Sequence, residues 1–206
     1  MKHLVFGGSF DPVHRGHIAM ATAAQEQWQP DRLSWLPSRL APHKLDAQAV
    51  APNHRQAMLE LVLAERPSTE MLCLDEFSRE GPSFTVDTLQ DLMVQDSSQE
   101  LAFLLGSDSL SHLATWRDLP RLFQLAHFVF APRVGYGPQQ EQEFRQSLTP
   151  EVAERWRVTW LSMEPVLCSS SELRQALQAG APCPDLPPAV AEYIAAHRLY
   201  LGSTRA

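Results

Sequence analysis

Apolar residues in this chain gather in short runs that end at glycine or proline, and longer amphipathic stretches separate the runs. His3-Leu-Val-Phe6 stops at Gly7-Gly8, and Leu33-Ser-Trp-Leu36 stops at Pro37. Leu101-Ala-Phe-Leu-Leu105 ends at Gly106, and His127-Phe-Val-Phe-Ala131 ends at Pro132. Met71–Leu74 and Val158–Leu161 complete the series of strand candidates. Runs apolar at nearly every position are what strands covered on both faces require. Between them the period lengthens to that of a helix. Gly16–Trp28 can turn Ile18, Met20, Ala21, Ala24 and Trp28 to one face. Asn53 is a candidate N-cap for a helix carrying Met58, Leu59, Leu61, Val62 and Leu63, which stops near Pro67. Further helices are predicted over Phe84–Val94, from Gly106 through Phe123 with an interruption near Pro120, and over about 170–179 and 187–198. Residues 38–52 have no clear period and read as a long loop of the kind that often carries function. Residues 135–157 are polar and predict an insertion with one or two helices.

Strands alternating with helices imply an α/β fold with an open, doubly wound, mostly parallel sheet. Such sheets bind ligands beyond the carboxyl ends of their strands, where strand order reverses. The length of 206 residues suits one domain, residues 1–206.

Composition narrows the partners. The formal net charge of −7 is unfavourable for a nucleic-acid polymer, yet permits a small phosphate ligand that senses local groups. No apolar run approaches the ~20 residues that a membrane span needs. Met1-Lys2 leads straight into a strand-like run, so the expectation is a chain without a signal peptide, in the cytoplasm. Cys73, Cys168 and Cys183 are too scattered for a disulfide framework or a CxxC metal site and read as inert thiols. The oligomeric state has no sequence signal.

Candidate chemistry sits where the sheet argument wants it. After the first strand, Gly7-Gly8-Ser9-Phe10-Asp11-Pro12-Val13-His14-Arg15-Gly16-His17 runs into the first helix. The glycines allow close backbone approach and unusual φ values, and the helix start offers unpaired N–H groups to an anion. His14 and His17, three apart, would share a face and could each donate a ring N–H to phosphate. They could also be metal ligands, although no third ligand is evident nearby. Near the other end, Cys168-Ser169-Ser170-Ser171-Glu172-Leu173-Arg174 opens a helix. Ser169 with Glu172 fits a capping box. Arg174 opposes the helix dipole there unless an anion is present.

The run Gly8–His17 resembles the GxFDPxHxGH signature of the HxGH nucleotidyltransferase superfamily, and Cys168–Arg174 resembles its ISSTxIR signature. Cys168, Ser171 and Leu173 depart from the second pattern. Intervening stretches are similar to the nicotinate-mononucleotide adenylyltransferase family: Pro42-His43-Lys44, Pro82–Leu89, Phe103–Leu110 with Trp116, Ala131–Gly135, and Tyr193-Ile194 with Leu199-Tyr200. The resemblance implies a Rossmann-like nucleotidyltransferase fold and adenylyl transfer from ATP to nicotinate mononucleotide in NAD biosynthesis, with Mg²⁺ carried on the ATP phosphates. It also assigns roles. His14, His17 and Arg174 would be catalytic. Gly8, Ser9, Phe10, Gly106, Asp108, Arg133, Ser169 and Ser170 would bind ATP. Lys44, Thr85 and Trp116 would bind nicotinate mononucleotide. Asp11 is expected only to hold its turn. Pantetheine phosphate as acceptor, CTP as donor, and a nucleotide sensor without turnover are the rival readings.

Overall fold

A computed structural model describes residues 1–39, 49–79, 81 and 83–201. Six strands form one sheet: β1 (Lys2–Gly8), β2 (Arg32–Pro37), β3 (Glu70–Leu72), β4 (Glu100–Gly106), β5 (His127–Ala131) and β6 (Val158–Trp160). The spatial order is β3-β2-β1-β4-β5-β6. Every pairing is parallel, from Phe6 opposite Trp35 on one side of β1 to Phe6 opposite Leu104 on the other. Strand order therefore reverses between β1 and β4, which opens a crevice beyond Gly8 and Gly106.

Alternation along each strand builds two cores. Leu4, Phe6, Leu33, Trp35, Ala102, Leu104 and Val129 point to one face. They meet Met20, Ala21 and Ala24 of α1 (Arg15–Gln27), Met58, Leu59 and Val62 of α2 (Pro52–Leu63), Leu173 of α9 (Ser170–Gln178) and Val190 and Ile194 of α10 (Pro188–Ala196). Val5, Leu36, Leu101, Phe103, Leu105, Phe128 and Phe130 point to the other. There they meet α4 (Thr85–Gln95), α5 (Leu110–Leu113), α6 (Leu119–Leu125) and α7 (Pro138–Ser147). Burial on both faces is why the strands read as continuous apolar runs.

Three placements differ from the sequence reading, and the 135–157 stretch agrees with it. Asn53 lies inside the first turn of α2; Ala51 is the N-cap and Pro52 takes the first helical position, which its fixed φ suits. The interruption expected near Pro120 falls just before it, at residues 114–118; Pro120 is the second residue of α6, and Asp118, with φ of 51°, caps that helix by accepting from the Arg121 N–H. A short helix α3 (Asp75–Ser78) follows β3, where no periodic signal of useful length exists. The polar 135–157 stretch contains two helices, α7 and α8 (Pro150–Ala153), anchored by Phe144 and Trp156.

Candidate active site

The glycine turn after β1 and the start of α9, far apart in sequence, are tied together at the crevice. Ser170 Oγ donates to the Pro12 carbonyl at 3.0 Å, and Arg174 Nη1 donates to the Asp11 carbonyl at 2.7 Å. Cys168 Sγ lies 3.3 Å from His14 Nδ1. The two phosphate-type motifs thus share one side of the sheet.

Within the turn, space matters more than φ. Neither Gly7 nor Gly8 has positive φ, contrary to expectation; the strained residue is Phe10, with φ of 46°. A Cβ on Gly7 would sit 2.3 Å from the Phe103 ring, so glycine is required for strand-to-strand approach. Phe10 is fully buried, its ring 4.9 Å from His17 and 5.4 Å from Trp35. Its side chain therefore supports His17 from below, and the ATP contact expected of Phe10 would be made through its backbone in the turn.

His14 is the N-cap of α1 and His17 lies in its first turn, so the rings come within 3.7 Å centroid to centroid. The His14 backbone N–H donates to His17 Nδ1 at 3.2 Å. An Nδ1 that accepts leaves the proton of the neutral ring on Nε2. Burial, with the charge of Arg133 as a second cause, lowers the His14 pKa from its ordinary value to about 3. His14 Nε2 is buried and has no hydrogen-bond partner among the described residues.

On the C-terminal side, Ser169 caps α9. Its hydroxyl accepts from the Glu172 N–H at 3.2 Å and donates to the Glu172 carboxylate at 2.7 Å. This differs from a full capping box, in which the glutamate would reach the cap backbone. Arg174 also reaches Ser171 Oγ at 3.2 Å and stands 3.9 Å from the Asp11 carboxylate.

At the end of β4, Gly106 makes room for an ion pair. A Cβ there would lie 2.5 Å from Asp108 Oδ1 and 3.0 Å from Arg133 Nε. The Asp108 carboxylate is half exposed and 3.7 Å from Arg133, while Arg133 Nη1 donates to the Cys168 carbonyl at 2.7 Å. Arg133 therefore bridges the β4, β5 and pre-α9 segments.

Beside the glycine turn, a cavity of about 410 Å³ runs from Gly8, Ser9 and Asp108 to Thr85, Phe103 and Trp116. That volume suits a small ligand. Thr85 is the first residue of α4, so the positive end of that helix faces the space. Trp116 packs edge-on against Phe103 at 6.1 Å, and its buried Nε1 has no hydrogen-bond partner among the described residues. Glu76 also lines the wall, and burial raises its pKa.

Lys44 lies outside the described residues. The other expected site residues converge on the crevice mouth and the cavity beside it. Two organising residues escaped the sequence reading. Asp11 was expected to act locally, yet its carboxylate accepts from the Tyr200 hydroxyl at 2.6 Å and from the Val50 N–H at 3.4 Å. Arg55, almost wholly buried, donates to the Ser9, Ser38, Arg39 and Val50 carbonyls and so braces the glycine turn against both ends of the long loop. Its one sequence signal is an arginine three and four residues before Met58 and Leu59 on the apolar face of α2.

The model of the cytidylyltransferase-like family matches residues 5–176, which span both phosphate-type segments up to Arg174. A protein of Symbiobacterium thermophilum named "Probable nicotinate-nucleotide adenylyltransferase" is 37% identical over 198 residues, covering 96% of this chain and 94% of its own. A relative of the same name from Thermomicrobium roseum is 36% identical, covering 95% and 90%. The chain belongs to the nicotinate-nucleotide adenylyltransferase family. The fold agrees with this membership. The nicotinic acid mononucleotide adenylyltransferase of Plasmodium falciparum complexed with NaAD superposes with a TM-score of 0.76 at 19% identity, covering 97% of each chain. The same enzyme complexed with APC gives 0.74 at 18% identity, covering 97% and 96%. Nicotinate-nucleotide adenylyltransferase sequences and this parallel-sheet architecture therefore meet in one chain. Among the described residues, no helix is long and apolar enough to cross a membrane.

Proposed function

We propose that the chain transfers the adenylyl group of ATP to nicotinate mononucleotide, releasing pyrophosphate and forming nicotinate adenine dinucleotide. The observation that carries this reading is the junction of the two phosphate-type motifs beside an aromatic cavity. Pro12–Ser170, Asp11–Arg174 and His14–Cys168 contacts close one cradle, and Trp116 and Thr85 line the adjoining space.

In this reading the mononucleotide phosphate attacks the α-phosphorus of ATP in line. The attacking oxygen is already anionic, so the protein needs no general base; it must position the groups and neutralise phosphoryl charge. His17 Nε2–H and His14 face that charge from the first turn of α1, with Arg174, Ser169 and Ser170 at the pyrophosphate end. Gly8 and Ser9 let the backbone approach the phosphates. Gly106, Asp108 and Arg133 border the adenosine. The acceptor ring enters the cavity against Trp116, with its carboxylate toward the amides at the start of α4, and Lys44 belongs to the same acceptor site. The cradle offers imidazole, guanidinium and hydroxyl groups, which suit phosphate oxygens; Mg²⁺ would be held by ATP and water, and would supply further charge neutralisation. The partners are small nucleotides, and the setting is the cytoplasm.

The test is pyrophosphate release from ATP with nicotinate mononucleotide, nicotinamide mononucleotide or pantetheine phosphate as acceptor. The highest kcat/KM is expected with nicotinate mononucleotide. Release with none of the three, despite ATP binding, would leave the sensor reading in its place.

A further inference from the structure

The His17 ring has its tautomer set by a backbone amide, and the structure offers His14 a different device. We propose that Cys168 is a positioning residue whose thiol donates to His14 Nδ1 and so keeps the His14 proton on Nε2, directed at the triphosphate. The inference rests on the reading of the cradle given above and adds a residue to it.

Four observations support the direction of the bond. Sγ and Nδ1 are 3.3 Å apart, within reach of a thiol hydrogen bond. The Gly16 N–H at the start of α1 also points to the sulfur, and the thiol retains its S–H to donate. Burial raises the Cys168 pKa, which keeps the thiol protonated, while His14 is held neutral. His14 Nε2 is buried without a partner among the described residues; as a bare lone pair it would repel phosphate oxygens, and as N–H it would bind them. Glycine at 16 is part of the arrangement, because a Cβ there would lie 2.9 Å from both Cys168 Sγ and His14 Nδ1.

The resembled second signature has isoleucine at this position, and an aliphatic side chain could make neither hydrogen bond. The thiol is thus a feature of this chain. Its effect parallels that of the His14 amide on His17. Both imidazoles then present Nε2–H to the same anion, one held by backbone and one by sulfur.

Histidine-labelled full-length protein, without nucleotide, can be read by long-range ¹H–¹⁵N correlation spectra, which distinguish the two neutral tautomers. His14→Gln assigns the signal by its loss. In the native chain His14 is expected as the Nε2–H form. Cys168→Ala should shift it toward the Nδ1–H form, and Cys168→Ser should restore the native pattern. In parallel, Cys168→Ala should lower kcat/KM for ATP about fivefold, the population change worth one ordinary hydrogen bond, and Cys168→Ser should recover most of that loss. A native Nδ1–H signal, or a spectrum unchanged by Cys168→Ala, overturns the proposal. So does a serine variant that behaves like alanine, since that result would assign Cys168 a packing role. The spectra need no turnover, so a protein inactive in adenylyl transfer would overturn the proposed reaction while the tautomer result still stood.

Discussion

At the scale of single residues, the site depends on where protons reside. His17 presents Nε2–H because its Nδ1 accepts from the His14 amide. Replacing it with alanine should lower kcat by about 100-fold or more, as for loss of an oxyanion-type donor. Steady-state kinetics at saturating ATP check this, and near-native turnover would remove His17 from the mechanism. Arg174 donates to the Asp11 carbonyl and stands at the expected pyrophosphate end, so Arg174→Ala should raise KM for ATP more than KM for the acceptor. Equal changes in both would contradict that placement. Burial also predicts a pH dependence of stability. His14 is lowered from the ordinary 6.5 to about 3, and burial lowers His3 and His127 as well. Between those His14 values the unfolded chain binds a proton that the folded chain excludes, so stability is full above about pH 6.5 and falls on acidification. The urea midpoint should drop between about pH 7 and pH 5, and His14→Gln should flatten part of that slope. An identical slope in the variant would show that His14 is not one of the groups responsible.

At the scale of elements, strands were legible because burial on both faces demands apolar residues at almost every position. His127–Ala131 was bounded to the residue, since proline terminates it. Helix starts were less legible. Pro52 and Pro120 lie in the first turns of helices, but a proline signals either a start or a break, and only the direction of the incoming chain decides. The role of Gly7 was half visible. The sequence marked a glycine turn, whereas the reason for glycine is a ring on a neighbouring strand. Gly7→Ala puts a methyl into Phe103, which packs on Trp116 in the cavity wall. The variant should raise KM for the mononucleotide acceptor more than KM for ATP and should lower thermal stability. Unchanged acceptor kinetics would mean that Phe103 moves without disturbing the pocket.

At the scale of the whole molecule, the last residues described return to the first loop. The Tyr200 hydroxyl, pushed well above its ordinary pKa by burial and by the Asp11 charge, donates to Asp11 at 2.6 Å. Asp11 in turn adjoins Arg174 and the Val50 amide. Tyr200→Phe should cost about 2 kcal/mol of stability, as for a hydrogen bond to a charged group. It should also weaken ATP binding by loosening the Asp11 turn under Arg174. Calorimetry of unfolding and of ATP binding measures both. A loss of stability with unaltered ATP affinity would restrict this clasp to the fold.

The sequence alone determined the parallel α/β plan, the position of both phosphate-type motifs just beyond strands, and the residue types fit to hold an anion. These follow from local pattern, because burial on two faces, helix period and turn chemistry are each written within a few neighbouring residues. Tertiary structure alone decided that the Phe10 ring packs beneath His17, that Asp11 and Arg55 brace the loops, and that Cys168 reaches His14. Those facts depend largely on contacts between residues far apart along the chain, 16 for Arg55 with Arg39 and up to 189 for Tyr200 with Asp11, set by how the sheet and its helices pack, and local pattern does not encode them.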